Sequence, residues 1–264
     1  MKSSRFNDLP AQNALSIFYT AGYPRLHDTL PILEKLQDAG VAMVEIGFPF
    51  SDPVADGPTI QASNLRAIEN GMNLSVLFEQ LRDLRPSIRI PVLLMGYLNP
   101  VEQFGAERFL QEAARCGVDG VILPDMPFEE YQDRYKPLFK GTDIKPVFLV
   151  TSRTDEARIK AFDAEEPAFL YVLSSDSVTG GQVAVSESRE TFFKRLADMK
   201  LRSTLIVGFG VTDRASFVAV TKHTHGAIVG SAFVKALAAL PALNAERSEI
   251  AKTELIENFI LGLR

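Results

Sequence analysis

Short apolar runs recur along the whole chain, and each is about as long as a β-strand. Several are apolar at consecutive positions, which is typical of parallel strands that are buried on both faces. Eight runs fit this description: Ala14–Thr20, Val41–Phe48, Ile90–Tyr97, Gly120–Pro124, Lys145–Val150, Phe169–Ser174, Ser203–Phe209 and Gly226–Gly230.

Segments with helical spacing separate these runs. Between His27 and Ala39, three leucines form one apolar stripe, and Gly40 follows as a helix stop. Further helix ends are predicted at Asn73 and Leu84, at Cys116–Gly117, and at the N-terminal caps Thr154 and Thr212.

The alternation of strand and helix, repeated about eight times, indicates a closed (β/α)₈ barrel. An open doubly wound sheet usually carries a Gly-rich dinucleotide turn after its first strand, whereas this chain reads YTAGYP there. No Ser/Gly-rich linker or change of composition divides the chain. We therefore predict one α/β domain over residues 1–264, a TIM barrel with an extra N-terminal segment and loop insertions.

Composition and charge exclude several classes of protein. Hydrophobic residues make up 46% of the chain and charged residues 23%, the balance of an ordinary globular protein. The net charge of −5 comes without a basic block, so we expect no nucleic-acid partner. No window reaches the roughly 18 apolar residues of a membrane span. The single cysteine, Cys116, fits a reducing compartment, and we expect a cytoplasmic location.

A carboxylate interrupts the second apolar run. In an alternating strand, Glu45 shares a face with Val41 and Met43. If that face points into the barrel, desolvation raises the pKa of Glu45 toward neutrality, where a carboxyl can both donate and accept a proton. A structural ion pair with a basic side chain is the alternative, and the strand alone does not decide between the two.

A stiff acidic loop, SDPVADGP, follows directly after this strand. Pro53, Gly57 and Pro58 restrict the loop around Asp52 and Asp56. By itself such a loop is most often a turn. Together with the glutamate on the strand, however, it supplies the pair of carboxylates that acid–base chemistry requires.

Glycine-rich segments in the second half of the chain indicate an anion site. Two of them, GFGV (Gly208–Val211) and GSAFV (Gly230–Val234), place glycines before predicted helices, where backbone N–H groups can hold a phosphate. A third, SVTGG (Ser177–Gly181), follows the sixth strand. The alternative is that these glycines only form tight turns. The three histidines lack neighbours at ligand spacing, so no metal site is predicted.

The stretch EIGFPFSDPVADGPTIQASNLRAIENG closely resembles the signature of the tryptophan synthase alpha subunit family. Further similar segments are FYTAGYP, LLMGYLNP, GVDGVILPDMPFEE, VTGG, GFGV and GAIVGSAFVK, so the resemblance covers nearly the whole chain. It implies a barrel that cleaves indole-3-glycerol phosphate into indole and glyceraldehyde 3-phosphate by a retro-aldol reaction. Another phosphate-binding barrel, such as a sugar-phosphate isomerase, would not account for SDPVADGP.

The resemblance also implies roles for individual residues. Glu45 matches the acid–base glutamate, and Asp56 matches the aspartate that accepts a hydrogen bond from the indole N–H. Thr179 matches the threonine that meets this aspartate when the loop after the sixth strand closes. The positions that match the substrate pocket are Phe18, Tyr97 and Ile122, and those that match the phosphate cradle are Gly180, Gly210, Gly230 and Ser231.

The family resemblance further implies a pyridoxal-phosphate beta subunit as partner, in a heterotetramer of two alpha and two beta subunits. Asp52 and Pro53 match the loop that faces it, and this chain should need no cofactor of its own. Where many family members read Arg-x-Gly-Val-Thr-Gly, this chain has Ser175 to Gly180 without the arginine and the first glycine, so we expect altered loop closure. A free-standing lyase and a catalytically weak barrel that only activates a beta subunit remain alternatives.

Overall fold

The computed structural model describes residues 4–173, 182–208, 210–240 and 245–264. Eight parallel strands are hydrogen-bonded in chain order, and the eighth pairs with the first, which closes the barrel. The strands are β1 (Ala14–Thr20), β2 (Met43–Gly47), β3 (Val92–Met95), β4 (Gly120–Ile122), β5 (Lys145–Val150), β6 (Leu170–Leu173), β7 (Leu205–Gly208) and β8 (Gly226–Val229). The predicted barrel is therefore confirmed.

Helices occupy the connections between the strands. They are α1 (Thr29–Asp38), α2 (Pro58–Glu69), α3 (Leu74–Gln80), α4 (Leu84–Ser87), α5 (Leu98–Phe104), α6 (Ala106–Cys116), α7 (Phe128–Glu130), α8 (Lys136–Lys140), α9 (Glu156–Ala164), α10 (Gln182–Asp198), α11 (Arg214–Thr221), α12 (Ser231–Ala238) and α13 (Ala245–Leu263). Short 3₁₀ segments lie at Arg5–Asp8, Leu26–Asp28 and Leu81–Asp83, and a π-helical turn at Tyr131–Tyr135.

Two predicted helix caps are displaced by one residue. Asp155, not Thr154, caps α9 by accepting a hydrogen bond from Arg158 N at 2.7 Å, and Thr154 instead accepts from Thr151 N in the preceding turn. Asp213, not Thr212, caps α11. In both pairs the carboxylate is the better acceptor for the positive end of the helix dipole.

Other predicted helix ends agree with the structure more closely. Asn73 caps α3 through Val76 N at 3.1 Å, although this helix gives way to a 3₁₀ turn after Gln80 rather than continuing to Leu84. Gly117 ends α6 in the left-handed conformation with φ of +81°, which glycine adopts without steric strain.

The register of the strands decides which side chains enter the barrel. Neighbouring residues in a parallel pair point to the same side, and Glu45 pairs with Phe18 on β1 and with Leu93 on β3. The alternate residues Ile17, Val44 and Leu94 are fully buried, on the opposite side of each strand. The core is thus divided between the barrel interior and the layer beneath the helices, and Glu45 belongs to the interior.

Ion pairs fasten both ends of the chain to the barrel. Arg5 in the N-terminal segment contacts Asp119 at 2.7 Å before β4, and Arg85 pairs with the same carboxylate. On α13, the fully buried Lys252 contacts Asp28 at 2.7 Å. Removing one partner of such a buried pair would leave an uncompensated charge, so these contacts fix the position of the terminal segments. Within the described ranges, no helix has both the length and the apolar character needed to cross a bilayer.

Candidate active site

Glu45 is the central residue of β2 and is completely shielded from solvent. Its Oε1 accepts a hydrogen bond from Ser16 Oγ at 3.4 Å, while Oε2 has no hydrogen-bond partner among the described residues. No ion pair in the described part of the chain includes Glu45. The structural alternative that the sequence left open, a glutamate neutralised by a cation, therefore has no support there.

Burial changes the protonation of Glu45. Desolvation raises its pKa from the usual 4.5 to about 8, and the hydrogen bond from Ser16 opposes this shift only in part. At neutral pH the carboxyl is thus mostly protonated, and it can give up its proton at little cost. This is the property that general acid–base chemistry requires.

Asp56 lies in the loop between β2 and α2 and is half-buried. The Tyr97 hydroxyl hydrogen-bonds its carboxylate, and Asn64 Nδ2 lies 3.5 Å from Oδ2. Desolvation raises the pKa of Asp56 to about 6, against the opposing effect of these two donors. The same Tyr97 hydroxyl accepts a hydrogen bond from Ala55 N at 2.9 Å, so it holds the acidic loop at two adjacent residues.

A cavity of about 100 Å³ opens at the carboxyl ends of the strands, where active sites of such barrels lie. Asp56 and Phe18 on β1 are among the residues that line it. Glu45 pairs with Phe18 in the sheet, and both Glu45 and Asp56 act electrostatically on Tyr171, which also lines the cavity. The fold therefore brings together the two carboxylates that the sequence singled out.

Part of the cavity wall is formed by backbone. Gly210, Gly230 and Ser231 line it, as the sequence predicts for a phosphate cradle. Gly230 precedes α12 without a side-chain cap, and the first helical hydrogen bond runs from Val234 N to Gly230 O, at 3.0 Å. The N–H groups of the intervening first turn thus have no acceptor within the helix, which is the arrangement that binds anions at helix N-termini.

The expectation that both glycine segments directly precede helices is wrong for the first of them. Gly210 adopts a left-handed turn with φ of +76°, and α11 begins only at Arg214. The carboxylate of Asp213 caps this helix through Ser216 N at 2.8 Å. Because that capping carboxylate already occupies the positive end of α11, α12 rather than α11 offers its N-terminus to a phosphate.

The other predicted pocket residues contact the cavity indirectly. Tyr97 hydrogen-bonds Asp56, which lines the cavity, and the fully buried Ile122 pairs with Met95, which also lines it. Thr179 and Gly180 lie outside the described residues, as does the whole Ser175–Gly180 segment. In the acidic loop Asp52 is exposed, but Pro53 is buried.

Tyr171 on β6 is a site residue that the sequence interpretation missed. It lines the cavity, and its negative neighbours Glu45 and Asp56 add to the burial that raises its pKa well above 10. Its ring and hydroxyl pack over Gly208, where an added Cβ would lie 2.1 Å from both Cε1 and the hydroxyl oxygen. The sequence FLYVLS does not show which of its alternate residues face the barrel interior, and the pairing of β6 with its neighbours is needed to place Tyr171 there.

We expect Gly208→Ala to displace Tyr171 and impair the site, because the new methyl group overlaps a ring that is only 4% exposed. Overpacking of this kind should lower the free energy of unfolding by about 1–3 kcal/mol. A displaced ring beside the reacting groups should also lower kcat by about 10²-fold. Chemical denaturation and steady-state kinetics measure the two effects.

Gly262→Ala is the matched control, because nothing lies within 4 Å of a Cβ placed at that glycine on α13. The control should not lower stability, since alanine favours the helix. Unchanged stability and kcat in Gly208→Ala would contradict the close packing of Tyr171 on β7.

Comparison with known proteins identifies the family of this chain. The family model described as "Tryptophan synthase alpha chain" matches residues 6–260. The chain is 47% identical over 223 residues to the tryptophan synthase alpha chain of Flavobacterium johnsoniae, covering 84% of this chain and 88% of the relative. It is 45% identical over 237 residues to that of Bacteroides thetaiotaomicron, covering 89% and 93%.

The fold is shared with solved structures of the same family. A crystal structure of the tryptophan synthase complex from Pyrococcus furiosus contains a chain with a TM-score of 0.81 and 32% identity, over 97% of this chain and 99% of that chain. Among the described residues, no group of three or more His, Cys, Asp or Glu side chains is arranged to hold a metal ion. By its sequence over nearly its full length and by its barrel, the chain belongs to the tryptophan synthase alpha chain family.

Proposed function

We propose that this chain cleaves indole-3-glycerol phosphate to indole and glyceraldehyde 3-phosphate. The observation that carries the proposal is Glu45, a fully buried carboxyl with a pKa of about 8 and no counter-ion among the described residues. Its neighbour on β1, Phe18, lines a cavity that is also lined by Asp56 and by Gly230 and Ser231 at the uncapped N-terminus of α12.

The reaction can be written with one proton carrier. Protonated Glu45 gives its proton to indole C3, and the positive charge that develops at the indole nitrogen is stabilised by ionised Asp56. The carboxylate of Glu45 then takes the proton of the glycerol hydroxyl beside the scissile bond as the carbon–carbon bond breaks. Indole and the aldehyde leave, and Glu45 is again protonated. Electrostatic stabilisation of such charge contributes about 3 kcal/mol per group in organised sites.

The phosphate of the substrate is assigned to the backbone of Gly210, Gly230 and Ser231. This cradle binds through N–H groups and the dipole of α12. Thr179 and Gly180 complete the proposed substrate contacts from the loop after β6, and Phe18, Tyr97 and Ile122 shape the indole end. In this proposal, binding of the phosphate at the cradle directs the scissile bond toward Glu45 and Asp56.

We expect kcat/KM to depend on pH as a bell. Asp56 has to be ionised, so activity should fall below its pKa of about 6. Glu45 has to be protonated, so activity should fall above its pKa of about 8. The two limbs report the pKa values of these groups in the substrate-free protein. Rates of indole release measured from about pH 5 to about pH 9.5 check them.

The acidic limb needs a control, because the substrate phosphate also titrates near pH 6. Tyr97→Phe removes a hydrogen bond that stabilises the ionised form of Asp56. The acidic limb should therefore move upward, by about half a unit to one unit. A limb that stays in place in this variant belongs to the substrate and contradicts the assignment to Asp56.

The proposal includes a partner. The Pyrococcus furiosus relative comes from a structure of the tryptophan synthase complex, which supports a beta subunit as partner of this chain. We assign Asp52 and Pro53 to that interface. The exposed Asp52 is followed two residues later by Val54, an apolar side chain that is 87% exposed and suited to contact with a partner.

The proposed complex is a heterotetramer with two copies of each subunit, located in the cytoplasm. The acid–base pair and the backbone cradle supply every group that the cleavage uses, so this chain needs no cofactor. Pyridoxal phosphate belongs to the beta subunit in this proposal.

The test is the release of indole from indole-3-glycerol phosphate by the purified chain, alone and with a tryptophan synthase beta subunit. Cleavage that the beta subunit accelerates supports the proposal, and unaccelerated cleavage indicates a free-standing lyase. A chain that stimulates the beta subunit but releases no indole in either condition would be a purely regulatory barrel, and the proposed function would be wrong.

A further inference from the structure

Ser16 is a polar residue in an apolar part of the barrel. It lies on the inner face of β1, and its Cα pairs with Met43 on β2 and Ile228 on β8. The side chain is completely buried. A hydroxyl in such surroundings is unfavourable unless it forms a hydrogen bond, and the described partner is Glu45 Oε1, at 3.4 Å.

The two oxygens of Glu45 are therefore in different environments. Oε1 faces the Ser16 hydroxyl, whereas Oε2 is buried without a hydrogen-bond partner among the described residues. A protonated carboxyl has one carbonyl oxygen, which only accepts hydrogen bonds, and one O–H group. The Ser16 hydroxyl donates, so it selects Oε1 as the carbonyl and leaves the proton on Oε2.

We propose that Ser16 is a positioning residue that anchors Glu45 Oε1 and thereby makes Oε2 the oxygen that transfers the proton. The inference rests on the proposed function, because it concerns the proton that the cleavage moves. The contact of 3.4 Å is longer than the usual 2.5–3.0 Å of such bonds, and bonds of this kind often tighten when substrate binds.

The other groups around Glu45 do not take over this role. Leu93 and Met95 on β3 carry no charge. Among the described residues, the titratable groups that face the site are Tyr171 on β6, Asp56 in the acidic loop and Tyr97, which bonds Asp56; all three are acids, and none carries a positive charge. The hydrogen bond from Ser16 is thus the described interaction that favours ionised Glu45, and its loss should raise the pKa of that carboxyl.

The experiment compares Ser16→Thr with Ser16→Val. These side chains have nearly the same shape, and only threonine keeps the hydroxyl. The pKa of Glu45 is read in the substrate-free protein by isotope-edited infrared spectroscopy of the carboxyl band, with Glu45→Gln to identify the band. Steady-state cleavage is measured on the same samples with the beta subunit present.

Ser16→Val should raise the pKa of Glu45 by about half a unit to one unit, and Ser16→Thr should leave it unchanged. In Ser16→Val, kcat should fall about tenfold while KM changes less than about twofold, since acid–base groups act mainly in the transition state. Ser16→Ala provides the same test without added bulk. Thr20→Val, which removes another buried hydroxyl of β1 that bonds Ser63, should lower stability without moving the pKa of Glu45.

Equal pKa values and equal kcat in Ser16→Thr and Ser16→Val would overturn the inference, and so would a raised pKa with unchanged kcat. The proposed function and the role of Ser16 fail separately. If the unaltered chain does not cleave the substrate while the pKa still moves as expected, the proposed function is wrong. If the unaltered chain cleaves it and the hydroxyl makes no difference, only the role of Ser16 is wrong.

Discussion

Replacing Glu45 by glutamine should lower kcat for indole formation by a factor on the order of 10³, because the amide can neither give a proton to indole C3 nor take one from the glycerol hydroxyl. Glutamine keeps the shape of the side chain, and its carbonyl can still accept the hydrogen bond from Ser16. Steady-state rates measure the loss, and calorimetry with a substrate analogue that lacks the reacting hydroxyl measures binding, which should change little.

Glu257→Gln supplies the matched control, since it makes the same chemical change on an exposed position of α13. Its kcat should equal that of the unaltered chain. If Glu45→Gln retains turnover within a few-fold of this control, Glu45 is not the proton carrier, and the mechanism proposed above is refuted.

The same Glu45→Gln substitution should make the folded protein more stable at neutral pH. The pKa of Glu45 is about 8 in the folded chain, against 4.5 as its usual value. Between these two pH values Glu45 is ionised in the unfolded chain but still protonated in the folded chain. Each pH unit in this range therefore lowers the free energy of unfolding by about 1.4 kcal/mol. At pH 7 the variant should gain about 3 kcal/mol, because glutamine does not ionise.

The gain in stability should itself depend on pH. Below about pH 4.5 the carboxyl is protonated in both states, so the difference between the two proteins should vanish. It should grow from about pH 4.5 to about pH 8 and stay constant above. Urea denaturation of both proteins across this range measures it, with Glu257→Gln expected to show no such trend. A variant that is less stable than the unaltered chain at pH 7 would contradict a buried, uncompensated Glu45.

Both results would follow from one physical fact, a carboxyl placed where water cannot solvate its charge. Burial of Glu45 lowers the stability of the folded protein at neutral pH. The same burial raises the pKa of the carboxyl, so that its proton is available for transfer at neutral pH. A cation beside Glu45 would remove the instability and also hold the carboxyl in its ionised form, unable to act as an acid.

Much of the fold followed from local patterns. The apolar runs identified all eight strands, since a strand buried on both faces requires apolar side chains at successive positions. Their ends were less predictable: β2 spans Met43–Gly47 within the longer run Val41–Phe48, because a strand lasts only as long as its neighbours pair with it. The caps at Asp155 and Asp213 were missed by one residue, because a threonine and an aspartate stand side by side in each case and the carboxylate is the better acceptor at the helix N-terminus.

The candidate site was only partly predictable. The sequence pattern around Glu45 and Asp56 was sufficient to indicate two acids, and the glycines indicated an anion site. Tyr171 and Ser16 gave no comparable signal, because an aromatic residue or a serine in a strand is unremarkable until its neighbours across the barrel are known. The burial of Pro53 beside the exposed Asp52 likewise depends on how the loop folds back on the barrel.

By itself, the sequence determined the repeating strand and helix units, the acidic residue in an apolar run and the glycines after the last two strands. These features are local, because they depend on periodicity and on the conformations that individual residues allow. Only the tertiary structure decided that Glu45 has no neutralising partner among the described residues, that Ser16 and Tyr171 face it, and that α12 rather than α11 offers its N-terminus. Such properties arise from groups far apart in the chain, and they exist only when barrel closure excludes water and brings the strands into register.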